Sequence, residues 1–482
     1  MNKNVMLIYP PGKVYQRGED RCQGNIGDSA ATTLRACNDL GYVAAGLAGK
    51  GYRIFLKDYQ GEGKKIRHLV RDVEKFKPAL VFMSVTTATI FDDLETINRI
   101  KAMKPDAAVI LKGALFFDAD ETLLKRLDLR HVDYLIGGES DFIGAELIER
   151  HVAMTDVRDI PGILFRHEGA WEKTSFDDWD ENPDALPFPD RSLMNNRLYK
   201  RPDTGEPQAT ISVGRGCPSS CVYCLTPLIS GRKLRLRSPA SVLAEMRECY
   251  HRYGIRNFFM KADTFTLDRD FVEQLCAQIL HSELAGRIAW VANSRTRPLE
   301  RETLQMMKQA GCWLVAFGFE SGSPESLERM KKGATVSDSF RAVSLARSVG
   351  LKIYGFFMVG FPWENMDHLR MTRDLIFALD SDFIEIHIPV PYGQTELRAI
   401  CACEGLNDVD DLGKDYFTSP SAGTRFLTMQ QVLQFRKEVL RRYHFRMSYI
   451  GRRFSESLEN PLVFFRYGAY ALRLLFRVMG FR

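Results

Sequence analysis

The stretch ATISVGRGCPSSCVYC (209–224) joins an apolar run of strand length to three closely spaced cysteines. Cys217, Cys221 and Cys224 have the spacing Cx₃Cx₂C, and the chain has no second CxxC pair and no HxxxH pair. A structural zinc site usually takes four ligands in two close pairs. A 4Fe-4S cluster held by three thiolates would leave one iron open to another ligand. The spacing therefore favours a cluster with one open iron over zinc or a disulfide.

The composition is that of a globular protein, with 482 residues of which 45% are hydrophobic and 26% are charged. Ten cysteines in this length are too few for a disulfide scaffold. The apolar run in MNKNVMLIYPPGK (1–13) is too short to predict a signal peptide, and no uninterrupted apolar run reaches about 18 residues, so we expect a cytoplasmic protein with reduced thiols. The net charge of +5 gives no indication of a nucleic-acid partner.

Residues 1–150 alternate apolar runs with amphipathic stretches, which predicts strands joined by helices. The apolar runs are NVMLIYPP (4–11), RIFLKDY (53–59), ALVFMSVTT (79–87), AAVILKG (107–113) and VDYLIGGES (132–140). Five strands that alternate with helices predict an α/β fold with a doubly wound parallel sheet. Such sheets bind ligands at the carboxyl ends of their strands.

The rest of the chain is predicted to contain a linker, a barrel and a helical extension. Residues 151–208 are predicted as the linker, because WEKTSFDDWDENPDALPFPD (171–190) is acidic, proline-rich and aperiodic. Six further strand–helix units between 209 and 404 predict a partial (β/α)6 barrel of the TIM type. Residues 405–482 are predicted to be helical, and residues 436–482 carry eleven Lys and Arg against three Glu.

Cx₃Cx₂C after the first barrel strand, with Tyr223 before the last cysteine, resembles the radical S-adenosylmethionine (SAM) superfamily. Four later stretches resemble strand segments of that family: MKADTFTLDRDF (260–271), FGFESGS (317–323), YGFFMVGFPWEN (354–365) and HIPVPYGQTEL (387–397). The third stretch departs from the family pattern at Trp363 and Asn365. The resemblance implies that Cys217, Cys221 and Cys224 hold a 4Fe-4S cluster. The residues implied to contact SAM beside it lie at strand ends and are Asp263, Ser294, Glu320 and Ser321.

The N-terminal region resembles the cobalamin-binding domain that precedes the radical domain in one large subfamily. Lys112–Gly113 and GESD (138–141) stand where that subfamily usually has GG and GEGE. The chain lacks a DxHxxG stretch, so the histidine of that motif is not expected to hold cobalt. The residues predicted to line cobalamin are Ser84, Thr86, Thr87 and Gly113. Alternatively, such a sheet binds another ligand or keeps the fold without the cofactor.

The resemblance implies an enzyme that cleaves SAM and, with cobalamin, methylates an unactivated carbon of a hydrophobic small-molecule or lipid-like substrate. A reductant such as flavodoxin or ferredoxin would supply the electron. One alternative is a radical oxidative cyclase or rearrangement enzyme without methyl transfer. The other is a non-catalytic cobalamin-binding or iron-sulfur protein. The sequence identifies no catalytic side chain beyond the cofactor ligands.

The C-terminal stretch ENPLVFFRYGAYALRLLFRVMGFR (459–482) has the pattern of a basic amphipathic helix. Arg466, Arg473 and Arg477 lie on one helical stripe, and apolar residues cover much of the remaining surface. Helices of this kind bind membrane interfaces, which predicts peripheral contact with the inner face of a membrane. The alternative is a helix that packs on the barrel and leaves its arginines in solvent.

Overall fold

The computed structural model describes residues 3–17, 22–25, 34–177, 179, 182–406, 412–414 and 423–458. Within these ranges it contains one seven-stranded sheet, one six-stranded sheet and two short hairpins. Helices alternate with the parallel strands of both large sheets. The predicted α/β class, with a doubly wound sheet followed by a partial barrel, is confirmed.

The N-terminal elements form the seven-stranded sheet, one hairpin and five helices. The strands are β1 (Asn4–Tyr9), β2 (Tyr15–Arg17), β3 (Cys22–Asn25), β4 (Arg53–Asp58), β5 (Leu80–Ser84), β6 (Ala108–Lys112), β7 (Tyr134–Ile136), β8 (Ile163–His167) and β9 (Ala170–Lys173). The helices are α1 (Asn38–Leu47), α2 (Ile66–Phe76), α3 (Ile90–Met103), α4 (Glu121–Lys125) and α5 (Ser140–Ala153).

The sheet order is β4-β1-β5-β6-β7-β8-β9, and its first five strands are parallel. The order reverses at β1, because β4 lies on one side of it and β5 on the other. Helices α1 and α5 cover one face, whereas α2 and α3 cover the other. Every residue of β5 and β6 is buried, which explains their continuous apolar runs. The reversal places the loops after β1 and β5 where doubly wound sheets bind ligands.

Strands β8 and β9 form a hairpin that continues the sheet past residue 150, inside the predicted linker. Glu168 and Gly169 form its turn with φ angles of 49° and 84°. Positive φ at both central residues is the requirement of a type I′ hairpin turn. The sequence reading missed this Glu-Gly turn because both strands are short and β9 is exposed or only half-buried.

The C-terminal elements form the six-stranded sheet, a second hairpin and ten helices within the described ranges. The strands are β10 (Gln208–Ser212), β11 (Gly214–Arg215), β12 (Arg235–Leu236), β13 (Asn257–Lys261), β14 (Ala289–Ser294), β15 (Cys312–Glu320), β16 (Lys352–Met358) and β17 (Phe383–His387). The helices are α6 (Thr226–Ile229), α7 (Pro239–Tyr253), α8 (Arg269–Leu280), α9 (Arg301–Gln309), α10 (Pro324–Arg329), α11 (Val336–Ser348), α12 (Met366–Leu379), α13 (Glu396–Cys403), α14 (Met429–His444) and α15 (Met447–Leu458).

Six parallel strands form the barrel in the order β10-β13-β14-β15-β16-β17. Alternate residues such as Ile353 and Phe357 belong to the core shared with the surrounding helices. Tyr354 and Phe356 have the opposite parity and therefore lie on the inner face of the barrel. The carboxyl ends of all six strands meet at one rim, where barrels of this type place their chemistry.

The extension after the barrel contributes α14 and α15, which belong to the predicted helical region. Val432, Phe435 and Val439 of α14 are buried in the barrel core. Within the ranges given above, no helix is both long enough and apolar enough to cross a membrane. The predicted amphipathic helix at 459–482 lies outside the described residues.

Candidate active site

The three cysteines lie on a loop that starts at the β11–β12 hairpin and ends at α6. Gly216 has a φ of 81°, and a Cβ atom there would lie 2.1 Å from the Lys233 carbonyl oxygen. The Cys217 amide donates to the Gly231 carbonyl at 3.1 Å, and the Cys224 amide donates to the Cys221 carbonyl at 3.1 Å. The loop is therefore folded back on residues 230–233, and this close approach requires glycine at position 216.

The three thiols are partly or fully buried, and two cations lie near Cys221. Cys217 is buried, and Cys221 and Cys224 are half-buried. Burial raises the pKa of the Cys221 thiol above its ordinary value, and the nearby charges of Lys332 and Arg295 offset only part of this rise. Cations beside a thiol favour the thiolate, which is the form that binds iron.

The chemistry of the three thiols bears on which metal group the loop could hold. Across the part of the chain that is described, no three His, Cys, Asp or Glu side chains converge as they would around one metal ion. Three thiolates on one zinc ion would lie about 4 Å apart. A 4Fe-4S cluster separates its thiolate ligands more widely, because the cube of iron and sulfide lies between them. Three thiols on one loop are the donor set expected of a 4Fe-4S cluster that keeps one iron open.

A buried ion pair stands beside the cysteine loop at the end of β15. The Lys332 ammonium lies 2.6 Å from the Glu320 carboxylate, and both side chains are less than 10% exposed. Glu320 has a φ of 62°, a strained conformation for a residue other than glycine, and a bulge interrupts the pairing of β15 with β16 at this point. Burial and the nearby Glu320 carboxylate raise the pKa of Tyr223 well above its ordinary value.

Arg295 connects the cysteine loop to the turn that carries Lys332. Its guanidinium donates to the Ser219 hydroxyl at 2.6 Å and also to the Lys332 carbonyl. Ser219 lies between the first two cysteines, so this arginine bridges the loop and the Lys332 turn. Neither Arg295 nor Lys332 was predicted from the sequence, although Arg295 directly follows the predicted residue Ser294.

Two of the predicted SAM residues, Asp263 and Glu320, have carboxylates that lie near the cysteine loop. Asp263 follows β13 and accepts a hydrogen bond from the Thr226 hydroxyl at 3.0 Å, two residues beyond the last cysteine. Glu320 is close enough to Cys221 to influence its pKa. The structure therefore brings Asp263 and Glu320 to the rim that carries the cysteine loop.

The other two predicted SAM residues use their hydroxyls inside the protein. Ser294 shares a hydrogen bond of 2.5 Å with Thr266 and donates to the Arg295 carbonyl at 2.8 Å. Ser321 is fully buried and shares a hydrogen bond of 3.0 Å with Thr372 of α12. The side chains of Ser294 and Ser321 thus hold neighbouring elements in place. This structural role could not be predicted from the position of the two serines in strand-end motifs.

The segment GFPWEN (360–365) forms a turn built around a buried carboxylate. Glu364 accepts from the amides of Gly360 at 2.7 Å and Phe361 at 3.1 Å, and from the Ser326 hydroxyl at 2.8 Å. Asn365 caps α12 by accepting from two backbone amides. Asn365 therefore has a local structural role, since asparagine is a favourable N-cap residue.

A buried polar cluster lies at the carboxyl edge of the N-terminal sheet. One oxygen of Asp39 accepts from Tyr9 at 2.9 Å and from Ser84 at 3.0 Å, and the Lys112 ammonium lies 3.4 Å away. The three donors come from the ends of β1, β5 and β6. The predicted cobalamin residue Ser84 is therefore committed to Asp39. Asp39 was not predicted from the sequence, although its partner Lys112 stands where the cobalamin-binding subfamily usually has glycine.

The remaining predicted cobalamin residues surround the loop after β5. The Thr86 and Thr89 hydroxyls share a hydrogen bond of 2.8 Å, and Thr89 donates to the buried Asp93 carboxylate at 2.7 Å. The Thr87 carbonyl accepts from the Gly413 amide at 2.9 Å. A Cβ on Gly113 would lie 3.0 Å from the Val85 carbonyl oxygen, so this strand end packs tightly on the loop.

Comparison with known proteins identifies the class of the region that contains the cysteine loop. Residues 211–376 match the model of the Radical SAM superfamily, and this range contains all three cysteines, Asp263 and Glu320. These residues form a radical SAM domain, and the protein is a radical SAM enzyme, which uses a 4Fe-4S cluster and SAM. The predicted superfamily and these two cofactors are confirmed.

Relatives and a solved structure extend the likeness over most of the chain. An uncharacterized methyltransferase of Pyrococcus horikoshii is 27% identical over 74% of this chain and 76% of its own length. The anaerobic magnesium-protoporphyrin IX monomethyl ester cyclase of Cereibacter sphaeroides is 22% identical over 81% of this chain and 64% of its own.

The structure of the radical SAM methyltransferase TsrM from Kitasatospora setae, with cobalamin and a 4Fe-4S cluster bound, superimposes with a TM-score of 0.67 and 20% identity. The match covers 84% of this chain and 75% of that chain. This likeness establishes a shared fold across both the N-terminal sheet and the barrel.

Proposed function

We propose that this protein is a cobalamin-dependent radical SAM methyltransferase that acts on an unactivated carbon of a hydrophobic substrate. The observation that carries the proposal is the joining of the radical SAM domain to a doubly wound sheet in the fold of TsrM, a methyltransferase solved with cobalamin and a cluster. The methyltransferase relative from Pyrococcus supports the same reaction class.

The proposed domains are a cobalamin-binding domain (1–150), a linker (151–208) whose β8–β9 hairpin extends the sheet of that domain, the radical SAM barrel (209–404) and the helical extension (405–482). Cys217, Cys221 and Cys224 would hold the cluster on the loop that Arg295 anchors. The residues proposed for SAM are Asp263, Ser294, Glu320 and Ser321. The side chains of Asp263 and Glu320 are the stronger candidates, because those of both serines are engaged within the protein.

Cobalamin would lie over the reversal point of the N-terminal sheet. Thr86, Thr87 and Gly113 are the proposed contacts, and Ser84 would act from beneath through Asp39. The buried Asp39–Lys112 pair makes this edge of the sheet polar and fixes the strand ends that carry these side chains. The cofactors supply the radical and the methyl group, while the protein binds them, orients them and excludes water.

The inner wall of the barrel indicates the character of the substrate. Tyr354 and Phe356 lie with ring centroids 4.6 Å apart, and Tyr354 donates to the Glu385 carboxylate at 2.9 Å. His387 lies beside this wall, with its ring 5.9 Å from that of Phe356. An aromatic wall with one fixed carboxylate would accommodate an apolar molecule that carries a hydrogen-bond donor. These residues alternate along β16 and β17, and the sequence reading did not single them out.

The cyclase relative keeps open the alternative of radical cyclisation or rearrangement without methyl transfer. A non-catalytic binding protein is disfavoured by the radical SAM domain.

Anaerobic reconstitution with iron, sulfide, SAM, a low-potential reductant and unmethylated hydroxocobalamin separates the reactions when extracts of a deletion strain are supplied as substrate, because SAM is then the only source of the methyl group. Methyl transfer predicts S-adenosylhomocysteine together with 5′-deoxyadenosine. Formation of 5′-deoxyadenosine without S-adenosylhomocysteine would refute methyl transfer.

We also propose a cytoplasmic enzyme that receives electrons from flavodoxin or ferredoxin and contacts the inner membrane face through its C-terminal extension. Met447, Ile450 and Leu458 are exposed on α15, at spacings that place them along one side of the helix. Co-sedimentation with vesicles that contain anionic lipid tests the contact. Binding should fall when Met447 and Ile450 are both replaced by Ser, and equal binding would contradict it.

A further inference from the structure

Two buried ion pairs join the N-terminal domain to the hairpin that carries the cysteine loop. Arg235 of β12 lies 2.7 Å from Glu139, and these side chains are 3% and 6% exposed. Arg215 of β11 pairs with Asp141, and these side chains are 7% and 4% exposed. We call these four residues the interdomain clamp. Glu139 and Asp141 directly follow β7 at the start of α5, in the segment GESD.

The arginines of the clamp are also part of the support of the cysteine loop. Arg215 stands two residues before Cys217, and β11 pairs with β12 so that Arg215 lies opposite Arg235. The Arg235 guanidinium also donates to the Ser230 carbonyl at 3.0 Å. The next carbonyl, that of Gly231, accepts from the Cys217 amide. The same short segment therefore contacts the first cysteine on one side and Glu139 on the other.

The acidic side of the clamp is equally well fixed. Gly138 and Gly162 approach so closely that a Cβ on Gly138 would lie 3.1 Å from the Gly162 Cα. The amides of Gly137 and Gly138 both donate to the Gly162 carbonyl, at 3.0 and 3.1 Å. The carboxylates of Glu139 and Asp141 therefore project from a tightly packed turn at the carboxyl edge of the sheet, the edge at which cobalamin is proposed to bind.

We propose that Glu139 and Asp141 are positioning residues that fix the distance between the cobalamin of the N-terminal domain and the cluster of the barrel. This inference rests on the proposed function. Methyl transfer needs both cofactors to reach one substrate carbon, and a small displacement of reacting groups lowers rates steeply. Buried arginine–carboxylate pairs have defined geometry and are strongly penalised when one partner is lost.

The test uses the full chain loaded with both cofactors and compares wild type with the variant Glu139→Gln/Asp141→Asn. A reduced cluster is paramagnetic and accelerates the electron-spin relaxation of nearby cob(II)alamin, so microwave-power saturation reports their separation. We expect the variant to keep wild-type iron and cobalamin contents while the relaxation enhancement falls severalfold. Wild-type relaxation in a fully loaded variant would overturn the proposal.

Two further variants separate positioning from general destabilisation. The charge swap Glu139→Arg/Arg235→Glu should recover most of the relaxation enhancement that Glu139→Arg alone removes. Glu283→Gln removes an exposed ion pair with Arg247, at 2.8 Å, and should change nothing. If Glu139→Arg/Arg235→Glu showed no more relaxation enhancement than Glu139→Arg alone, the result would argue against the interdomain clamp.

Calorimetry gives a readout that does not need cobalamin. If the wild-type chain binds no cobalamin, the proposed function fails, and the clamp is then judged by unfolding alone. The Glu139→Gln/Asp141→Asn variant should separate the unfolding of the N-terminal domain from that of the barrel, whereas we expect wild type to unfold in one transition. A single shared transition in the variant would overturn the clamp.

Discussion

The ammonium group of Lys332 lies 2.6 Å from the Glu320 carboxylate, in a buried position beside the cysteine loop. Replacing Lys332 by Met leaves this carboxylate without its cation, and such losses cost about 3–5 kcal/mol. We expect Lys332→Met to lower the free energy of unfolding by that amount, measured by urea denaturation, and to weaken SAM binding measured by equilibrium dialysis.

The neighbouring residue provides the control for this prediction. Lys331 pairs with Glu396 at 2.7 Å, but both side chains are about half exposed. Exposed pairs contribute roughly 0–1 kcal/mol. Lys331→Met should therefore change stability by less than about 1 kcal/mol. If Lys331→Met and Lys332→Met lowered the free energy of unfolding equally, burial of the Lys332–Glu320 pair would not account for its contribution.

Arg295 is expected to retain the cluster by holding the cysteine loop closed. Arg295→Leu removes the donors to the Ser219 hydroxyl and the Lys332 carbonyl, so the loop should open more often. Iron release to a chelator, followed by absorbance, should become severalfold faster. Arg297→Leu is the matched control, because Arg297 is 57% exposed and lies 3.9 Å from Asp338. Equal release rates in wild type and Arg295→Leu would count against the bridge.

The three cysteines are expected to hold all of the cluster iron. Replacing Cys217, Cys221 and Cys224 together by Ala should reduce iron after anaerobic reconstitution from about four atoms per chain to nearly none. Cys403 is exposed at the end of α13, and Cys403→Ala should retain wild-type iron. Full iron in the triple variant would refute the assignment.

Asp93 should make stability depend on pH in an unusual direction. Burial raises the pKa of its carboxyl to about 8, compared with about 4 in the unfolded chain. Between these values the folded state binds more protons, so the contribution of Asp93 to stability falls as pH rises, by up to about 1.4 kcal/mol per unit. Below pH 4 and above pH 8 this contribution is constant.

The variant Asp93→Asn tests this sign. Because the amide does not titrate, the variant should gain stability relative to wild type as pH rises from 4 to 8, measured by urea denaturation at each pH. A difference between wild type and Asp93→Asn that does not change with pH would contradict the raised pKa.

The sequence predicted the parallel strands well, because their apolar runs and flanking helices carry strong periodic signals. It did not predict the β8–β9 hairpin, whose stability depends on one Glu-Gly turn and on the edge offered by β7. Such pairing is decided by tertiary contact with an existing sheet, and a short half-exposed strand carries little local signal.

The candidate site was only partly predictable for a similar reason. Cys217, Asp263 and Glu320 are placed by their own strand ends, and a motif locates strand ends well. Asp39 and Arg295 act through partners far away in sequence, such as Ser84 and Ser219. Which hydroxyl is used internally, and which carboxylate is buried, depends on three-dimensional packing that no local spacing encodes.

Strand β10 is the first strand of the barrel and has no barrel neighbour on its outer side. Its backbone acceptors are instead occupied by side chains, since the Thr210 carbonyl accepts from Asn38 at 2.8 Å and from Arg191 at 2.9 Å. Uncovered edge strands invite intermolecular pairing. A barrel expressed without residues 1–208 would lose both donors and expose this edge, so the two halves are expected to be inherited, expressed and purified as one unit.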